Sequence, residues 1–154
     1  MRLLIVADVH GRLGALLDVL DSQPTAQHVF CLGDGVEQYE EAATLYPDRI
    51  FHIVAGNCDF GASHPRLGEI VLGGKRIVYT HGHIEQVKYG IEHAVSVARS
   101  RGADLLLFGH THEPTRHYED GLHIFNPGSL GYHGEYGVVD ITPAGQIMTI
   151  ALRD

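Results

Sequence analysis

Leu3-Leu4-Ile5-Val6-Ala7-Asp8-Val9-His10 sets a short apolar run directly against an aspartate and a histidine. Runs of this length, rich in Val, Ile and Leu, read as buried strands. The arrangement recurs along the chain. Val29–Leu32 leads into Gly33-Asp34, and Ile50–Ala55 into Gly56-Asn57-Cys58-Asp59. Ile77–Thr80 leads into His81-Gly82-His83, and Leu105–Phe108 into Gly109-His110-Thr111-His112. Carboxylate, amide and imidazole donors therefore stand repeatedly at strand C-termini, the edge where open α/β sheets bind ligands. Taken singly, each cluster has a plainer reading. An Asp-x-His after a strand is most often a helix cap beside a solvated histidine, and Gly-Asp or Gly-Asn is usually a turn. His110-Thr111-His112 is the best single candidate for metal binding. All five together read as a metal centre assembled across a sheet.

Working outward, the segments between the runs supply the helices. Leu13, Leu16, Leu17 and Leu20 fall at i, i+3, i+4 and i+7, one apolar helix face. Val36–Leu45 reads as a second helix with Glu37, Glu40 and Glu41 exposed, ended by Pro47. With the first three runs these make a β-α-β-α-β unit, hence parallel strands with right-handed crossovers. Glu69–Leu72 and Arg76–Thr80 form a hairpin across Gly73-Gly74. A long helix is expected over Val87–Arg101, with Val87, Ile91, Ala94, Val95 and Ala98 on one face and Gly102 as its cap. Two more hairpins follow, Thr115–Tyr118 with His123–Phe125, and Gly137–Ile141 with Ile147–Leu152. The expected class is α/β (α+β): one domain over residues 1–154, a four-layer helix–sheet–sheet–helix sandwich with two mixed β-sheets.

Composition narrows the function. The chain has 154 residues, 44% hydrophobic and 19% charged, with a formal net charge of −8. It has no run of Lys or Arg, which argues against broad nucleic-acid binding. No stretch approaches the roughly 20 apolar residues of a membrane span, and the N-terminal apolar run is too short for a signal peptide. Cys31 lies inside a strand and Cys58 in a cluster, and nothing demands a disulfide. The expected location is the cytoplasm. A homo-oligomer is left open, since hairpin edges could pair.

In order, D-x-H, G-D, G-N-x-D, H-G-H and G-H-x-H resemble the motif series of the calcineurin-like metallophosphoesterases. The match runs from Asp8 to His112, and Asn126-Pro127-Gly128-Ser129 extends it. Chain length and the Gly-Asn-Cys-Asp motif are similar to the family's small bacterial and archaeal phosphodiesterases. The resemblance implies a metal-dependent phosphoesterase acting on a small phosphoester. Its hydroxide would bridge two divalent ions about 3.5–4 Å apart. Asp8, His10, Asp34 and His112 would hold the first metal. Asp34, Asn57, His81 and His110 would hold the second, with Asp34 as the bridge. Asp34, Asn57 and His81 are thereby also the catalytic set. Manganese is the expected metal, with Ni, Fe, Co, Zn or Mg as alternatives. Arg12, Cys58 and His83 are candidates on the substrate side. Asp59 and the Asn126–Ser129 segment are candidates for supporting the site. The other seven histidines match no motif and read as surface or packing residues.

One departure bears on the substrate. Many phosphomonoesterases and protein phosphatases of the family carry histidine where this chain has Cys58. A thiol is a weak hydrogen-bond donor, and no arginine cluster is evident to meet a monoester dianion. Both points favour a phosphodiester. The alternatives are a phosphomonoesterase, and a protein-binding scaffold like a eukaryotic retromer subunit that resembles the family. The complete ligand set favours an enzyme.

Overall fold

The computed structural model describes residues 1–154. Strand β1 (Arg2–Val6), helix α1 (Leu13–Ser22), β2 (His28–Cys31), α2 (Val36–Leu45) and β3 (Ile50–Ile53) make the expected parallel unit. β4 (Leu67–Leu72) and β5 (Lys75–Thr80) form the Gly73-Gly74 hairpin. Helix α3 (Glu92–Ser100), β6 (Leu105–Leu107), β7 (Thr115–Glu119), β8 (Leu122–Asn126), α4 (Leu130–His133), β9 (Glu135–Ile141) and β10 (Ile147–Arg153) complete the chain.

The strands form two sheets, β10-β9-β1-β2-β3 and β4-β5-β6-β8-β7. Both are mixed. In the first, β1, β2 and β3 are parallel while β9 and β10 run against them. In the second, β5, β6 and β8 are parallel while β4 and β7 are antiparallel. Alternation along the strands explains the layering. Leu3, Ile5 and Phe30 face Ile77, Leu105 and Phe125 between the sheets. Leu4, Val6 and Val29 turn outward beneath Leu16, Leu20 and Tyr39 of α1 and α2. Val78, Leu106 and Ile124 pack under Ala94 and Ala98 of α3. Each large side chain fully removed from water contributes about 1.5–3 kcal/mol. The result is the four-layer sandwich, helices outside and sheets inside.

Two local features differ from the sequence reading. The helix expected over Val87–Arg101 is broken into a 3₁₀ turn at Val87–Tyr89 and α3. Gly90 separates them at φ 135°, a conformation no helix can pass through, and Gln86 before the turn is left-handed at φ 54°. The apolar spacing was real, since Val87, Ala94 and Ala98 all enter one cluster. The single turn α4 was not anticipated. Ser129 caps it by accepting the Tyr132 N–H at 3.1 Å, and Gly134 ends it at φ 68°.

Candidate metal centre

Every expected ligand stands just past the C-terminal end of a parallel strand. Asp8 and His10 follow β1, Asp34 follows β2 and Asn57 follows β3; His81 follows β5, and His110 and His112 follow β6. The two parallel triplets end at the same side of the sandwich, so residues far apart in sequence meet there. The chain bends sharply to bring them in. Seven non-glycine residues have positive φ, and five of them are Asp8, His10, Asp34, His110 and His112, at 54°, 47°, 51°, 71° and 60°. Left-handed backbone costs of order 1 kcal/mol per residue and concentrates at functional sites. Asp, Asn and His tolerate it best. Glycine makes room beside them: a Cβ on Gly56 would lie 2.2 Å from Asp34 Oδ1.

Asp8 is the innermost group, fully buried. Its Oδ2 accepts the His110 N–H at 3.0 Å. Its Oδ1 has no hydrogen-bond partner, nor does the enclosed Nε2 of His10. Around that oxygen stand the Nε2 atoms of His112 at 3.4 Å, His10 at 3.7 Å and His81 at 3.9 Å. Asp34 Oδ1 accepts the Cys58 N–H at 2.8 Å. Its Oδ2 lies 3.4 Å from His81 Nε2 and 3.8 Å from His10 Nε2. His81 Nδ1 donates to the Leu32 carbonyl at 2.7 Å, which leaves Nε2 facing Asn57 Oδ1 at 2.9 Å and His110 Nδ1 at 3.1 Å. In neutral His81 that nitrogen is an acceptor aimed at an amide oxygen. Such a contact holds only with a positive charge between or on the partners, a second proton on His81 or a cation. Asp8, His10 and His112 form one group of converging donors and Asp34, His81 and His110 another, within 4.8 Å in each. A divalent cation fits both, since it would satisfy the orphaned Asp8 oxygen and the facing acceptors together.

The electrostatics carry the same imprint. Burial pushes the Asp8 carboxyl up to about 7, against the opposing pull of His81 and the His110 N–H. Burial works on Asp34 too, but the His81 hydrogen bond and charge, the Cys58 N–H and His10 outweigh it and hold Asp34 below the ordinary carboxylate range. Burial opposes charge on His81, yet Asp34 and Asp8 draw its value upward. His110 falls to about 4, first through burial and then through the charges of His81 and Lys88. Burial also lowers His112. Crowded, desolvated carboxylates and imidazoles of this kind are what a bound cation relieves.

Residues 1–143 match the family model of the calcineurin-like phosphoesterase superfamily domain. The chain belongs to the calcineurin-like phosphoesterase superfamily. It is 30% identical over 131 residues to the probable metallophosphoesterase YsnB of Bacillus subtilis, covering 84% of this chain and 75% of that protein. It is 29% identical over 184 aligned residues to the phosphodiesterase YfcE of Escherichia coli, covering 100% and 94%. The fold is similar to that of a vacuolar protein sorting protein, Vps29 of Entamoeba histolytica, solved in complex with zinc, with TM-score 0.75, 23% identity, and 99% and 98% coverage.

Within this superfamily fold, the second tier of expected residues divides. Asp59 is fully engaged. Its Oδ2 accepts the N–H groups of Asp34 and Gly56 at 2.7 Å each, and its Oδ1 those of Gly35 and Val36 at 3.0 Å each. It ties the Asp34 loop, the Asn57 loop and the start of α2 together. Asn126 donates to the Gly109 carbonyl at 3.3 Å and to Thr111 Oγ1 at 2.9 Å, bracing the His110–His112 loop. Ser129 Oγ donates to the Asp8 carbonyl at 2.9 Å. Cys58 is exposed beside His10 and Asp34, and burial with nearby Asp34 raises its thiol. The His83 ring lies 5.3 Å from that of His81, and its Nε2 accepts from Arg66 Nη1 at 3.0 Å. Arg12 donates from Nη1 to the Gly131 carbonyl at 3.4 Å. Of the histidines outside the motifs, His28 and His52 pair with each other at 2.9 Å, and His64 meets Glu40 at 2.8 Å.

Two neighbours escaped the sequence reading. The Tyr132 ring packs 4.7 Å from that of His10 and 5.0 Å from that of His112. Lys88, in the 3₁₀ turn, carries a charge felt by Asp8, His110 and His112. Neither sits in a ligand motif. Lys88 lies in the turn that ends at Gly90, and Tyr132 in the short α4.

Proposed function

We propose that the chain is a phosphodiesterase that works with two divalent metal ions. The observation that carries this reading is the set of donors converging on Asp8 Oδ1, which together with His10 Nε2 has no hydrogen-bond partner, beside His81 Nε2 facing Asn57 Oδ1. We assign Asp8, His10, Asp34 and His112 to one ion, and Asp34, Asn57, His81 and His110 to the other. Asp34 serves both. When bound, such a pair lowers the pKa of a water and neutralises phosphate oxygens. The protein contributes position. Asp59, Asn126 and Ser129 hold the ligand loops, and burial keeps bulk water from Asp8. Imidazole mixed with carboxylate and amide oxygen suits manganese, followed by Ni, Fe, Co, Zn or Mg. Two free thiols, one exposed, fit a cytoplasmic setting.

A diester is preferred over a monoester on charge. The cleft beside His10 and Asp34 has no Lys or Arg in its lining, and Arg12 is drawn to Gly131. Within that lining the second charge of a monoester dianion meets no cation, since Lys88, whose charge reaches Asp8, His110 and His112, lies outside it, and Cys58 is a weak donor. The phosphodiesterase name of the Escherichia coli relative points the same way. A protein-binding scaffold is the second reading, favoured by the likeness to a vacuolar protein sorting protein. That likeness comes with bound zinc, so metal content alone does not separate a scaffold from an enzyme.

Turnover separates them. Chelation should abolish hydrolysis of an aryl phosphodiester, and added manganese should restore it. Asp34→Asn should lose both metal content and turnover while its circular dichroism stays native. Metal-loaded protein inert on diesters and monoesters alike would leave the scaffold reading. Normal metal content in Asp34→Asn would remove Asp34 as the shared ligand.

A further inference from the structure

A cleft of about 550 Å³ opens from His10, Asp34 and Cys58 and continues along the first turns of α2 to Phe60. Three features limit what it can hold. Its lining contains no Lys or Arg, while Glu37, Glu40 and Asp59 join Asp34 there. The first turn of α2, the natural place for an anion, is already filled, because the Gly35 and Val36 N–H groups both point at Asp59 Oδ1. Phe60 leaves 91% of its surface exposed in this lining. The exposed ring offers a face on which a planar group entering the cleft can stack.

Resting on the phosphodiesterase reading, we propose that this cleft receives one arm of the diester, and that the arm is nucleoside-like. It is uncharged, carries a ring that stacks on Phe60, and brings hydroxyl or amine donors to Glu37 and Gln38. An arm bearing a further phosphate is rejected. Such a group would lie near Glu37 and Glu40 within about one Debye length, with no cation in the lining and no free helix terminus to receive it. The metal centre then binds the single charge of the diester, and the cleft selects the arm by its lack of charge.

The test uses p-nitrophenyl thymidine 5′-phosphate and its 3′-phosphorylated counterpart, with methyl p-nitrophenyl phosphate reporting the basal chemistry, all at matched metal loading. Wild type should favour the thymidine ester over its 3′-phosphorylated form by at least about fivefold in kcat/KM. Phe60→Ala should raise KM for the thymidine ester about tenfold, the size of a lost base–aromatic stack, with the loss falling on KM and not kcat. Glu37→Lys should narrow the discrimination against the 3′-phosphate. In metal-free protein, saturation-transfer NMR should detect thymidine binding that Phe60→Ala loses. Equal kcat/KM for the two thymidine esters, or an unchanged KM in Phe60→Ala, overturns the cleft assignment while cleavage of the methyl ester leaves the phosphodiesterase reading standing. If no ester is cleaved, that reading falls and takes this one with it.

Discussion

At Cys58 a single side chain bears on which ester the site can open. Its thiol sits at the edge of the donor cluster, with burial and Asp34 both holding the proton on. A protonated thiol donates weakly to a departing alkoxide, whereas general-acid help from imidazole is typically worth about 10²–10⁴-fold. Diesters with good leaving groups need little of that help. Cys58→Ala should therefore keep most of its activity on an activated aryl diester. Cys58→His should raise monoester turnover relative to diester turnover. The measurement is the ratio of the two rates in all three proteins at equal metal content. A dead Cys58→Ala with metal still bound would mean that the thiol does chemistry outside this account. The residue scale is also where sequence spoke most clearly. Asp and His are the residues that accept left-handed backbone, so five of the seven expected ligands are also the residues that can turn the chain at a strand end.

At the scale of elements, the strand-end loops are braced against one another. Asp59 gathers four backbone N–H groups from two segments, Asp34–Val36 and Gly56, and without that carboxylate those donors lose their partner together. Asp59→Ala should lower metal affinity about 10–100-fold, as loss of a ligand-supporting group does, read by titration of the metal-free protein with manganese. Gly56→Ala tests the same junction by volume. The added Cβ would lie 2.2 Å from Asp34 Oδ1 and 2.7 Å from Asp34 N, so backbone and not only a side chain must move. Metal loss without a change to any ligand is the expected result, together with a stability loss of about 1–3 kcal/mol. Native metal affinity in Gly56→Ala would show that the loops yield more easily than their hydrogen bonds suggest. Elements were legible where the apolar period runs unbroken, and were misread where a glycine interrupts the period or the element is too short to have one. The Val87–Arg101 spacing spoke for helix, but one glycine at φ 135° divided it. Helix α4 has four residues, too few to leave a period.

For the whole molecule, the open end of the inter-sheet core gives a pH signature independent of the metal. His52 in β3 packs on Phe30 and near Tyr79 of the opposite sheet, with ring centroids 4.6 Å and 6.1 Å away. Burial, and then the charge of His28, lower its pKa to about 4. In the unfolded chain it titrates at about 6.5. Between those values the unfolded state binds more protons, so stability falls as pH drops through the window and returns as it rises. His52→Gln should flatten this dependence. The gap between wild-type and variant stability profiles, measured in chelator from pH 7 to 4, should change by about 1 kcal/mol after allowance for partial exposure. Parallel profiles would mean that His52 is protonated in the folded state without cost.

The sequence by itself determined the strand runs, the polar cluster after each, and the order that identifies the superfamily. These are local facts, written in hydrophobic period and in residue types that suit a strand end. The sandwich class was legible too, because two β-rich halves with amphipathic helices have few ways to bury their apolar faces. What tertiary structure alone decided is who meets whom. His81 and Asp34 are 47 positions apart and His110 and Asp8 more than a hundred, and only the packing of one sheet on the other brings the His81 ring to the Asp34 carboxylate and the His110 N–H to that of Asp8. The same packing set Arg12 against the Gly131 carbonyl, enlisted Tyr132 and Lys88, and left Phe60 bare in a cleft without cations. Side-chain direction and through-space charge depend on chain segments with no common sequence signal, and so they exist only once the sheets have closed on each other.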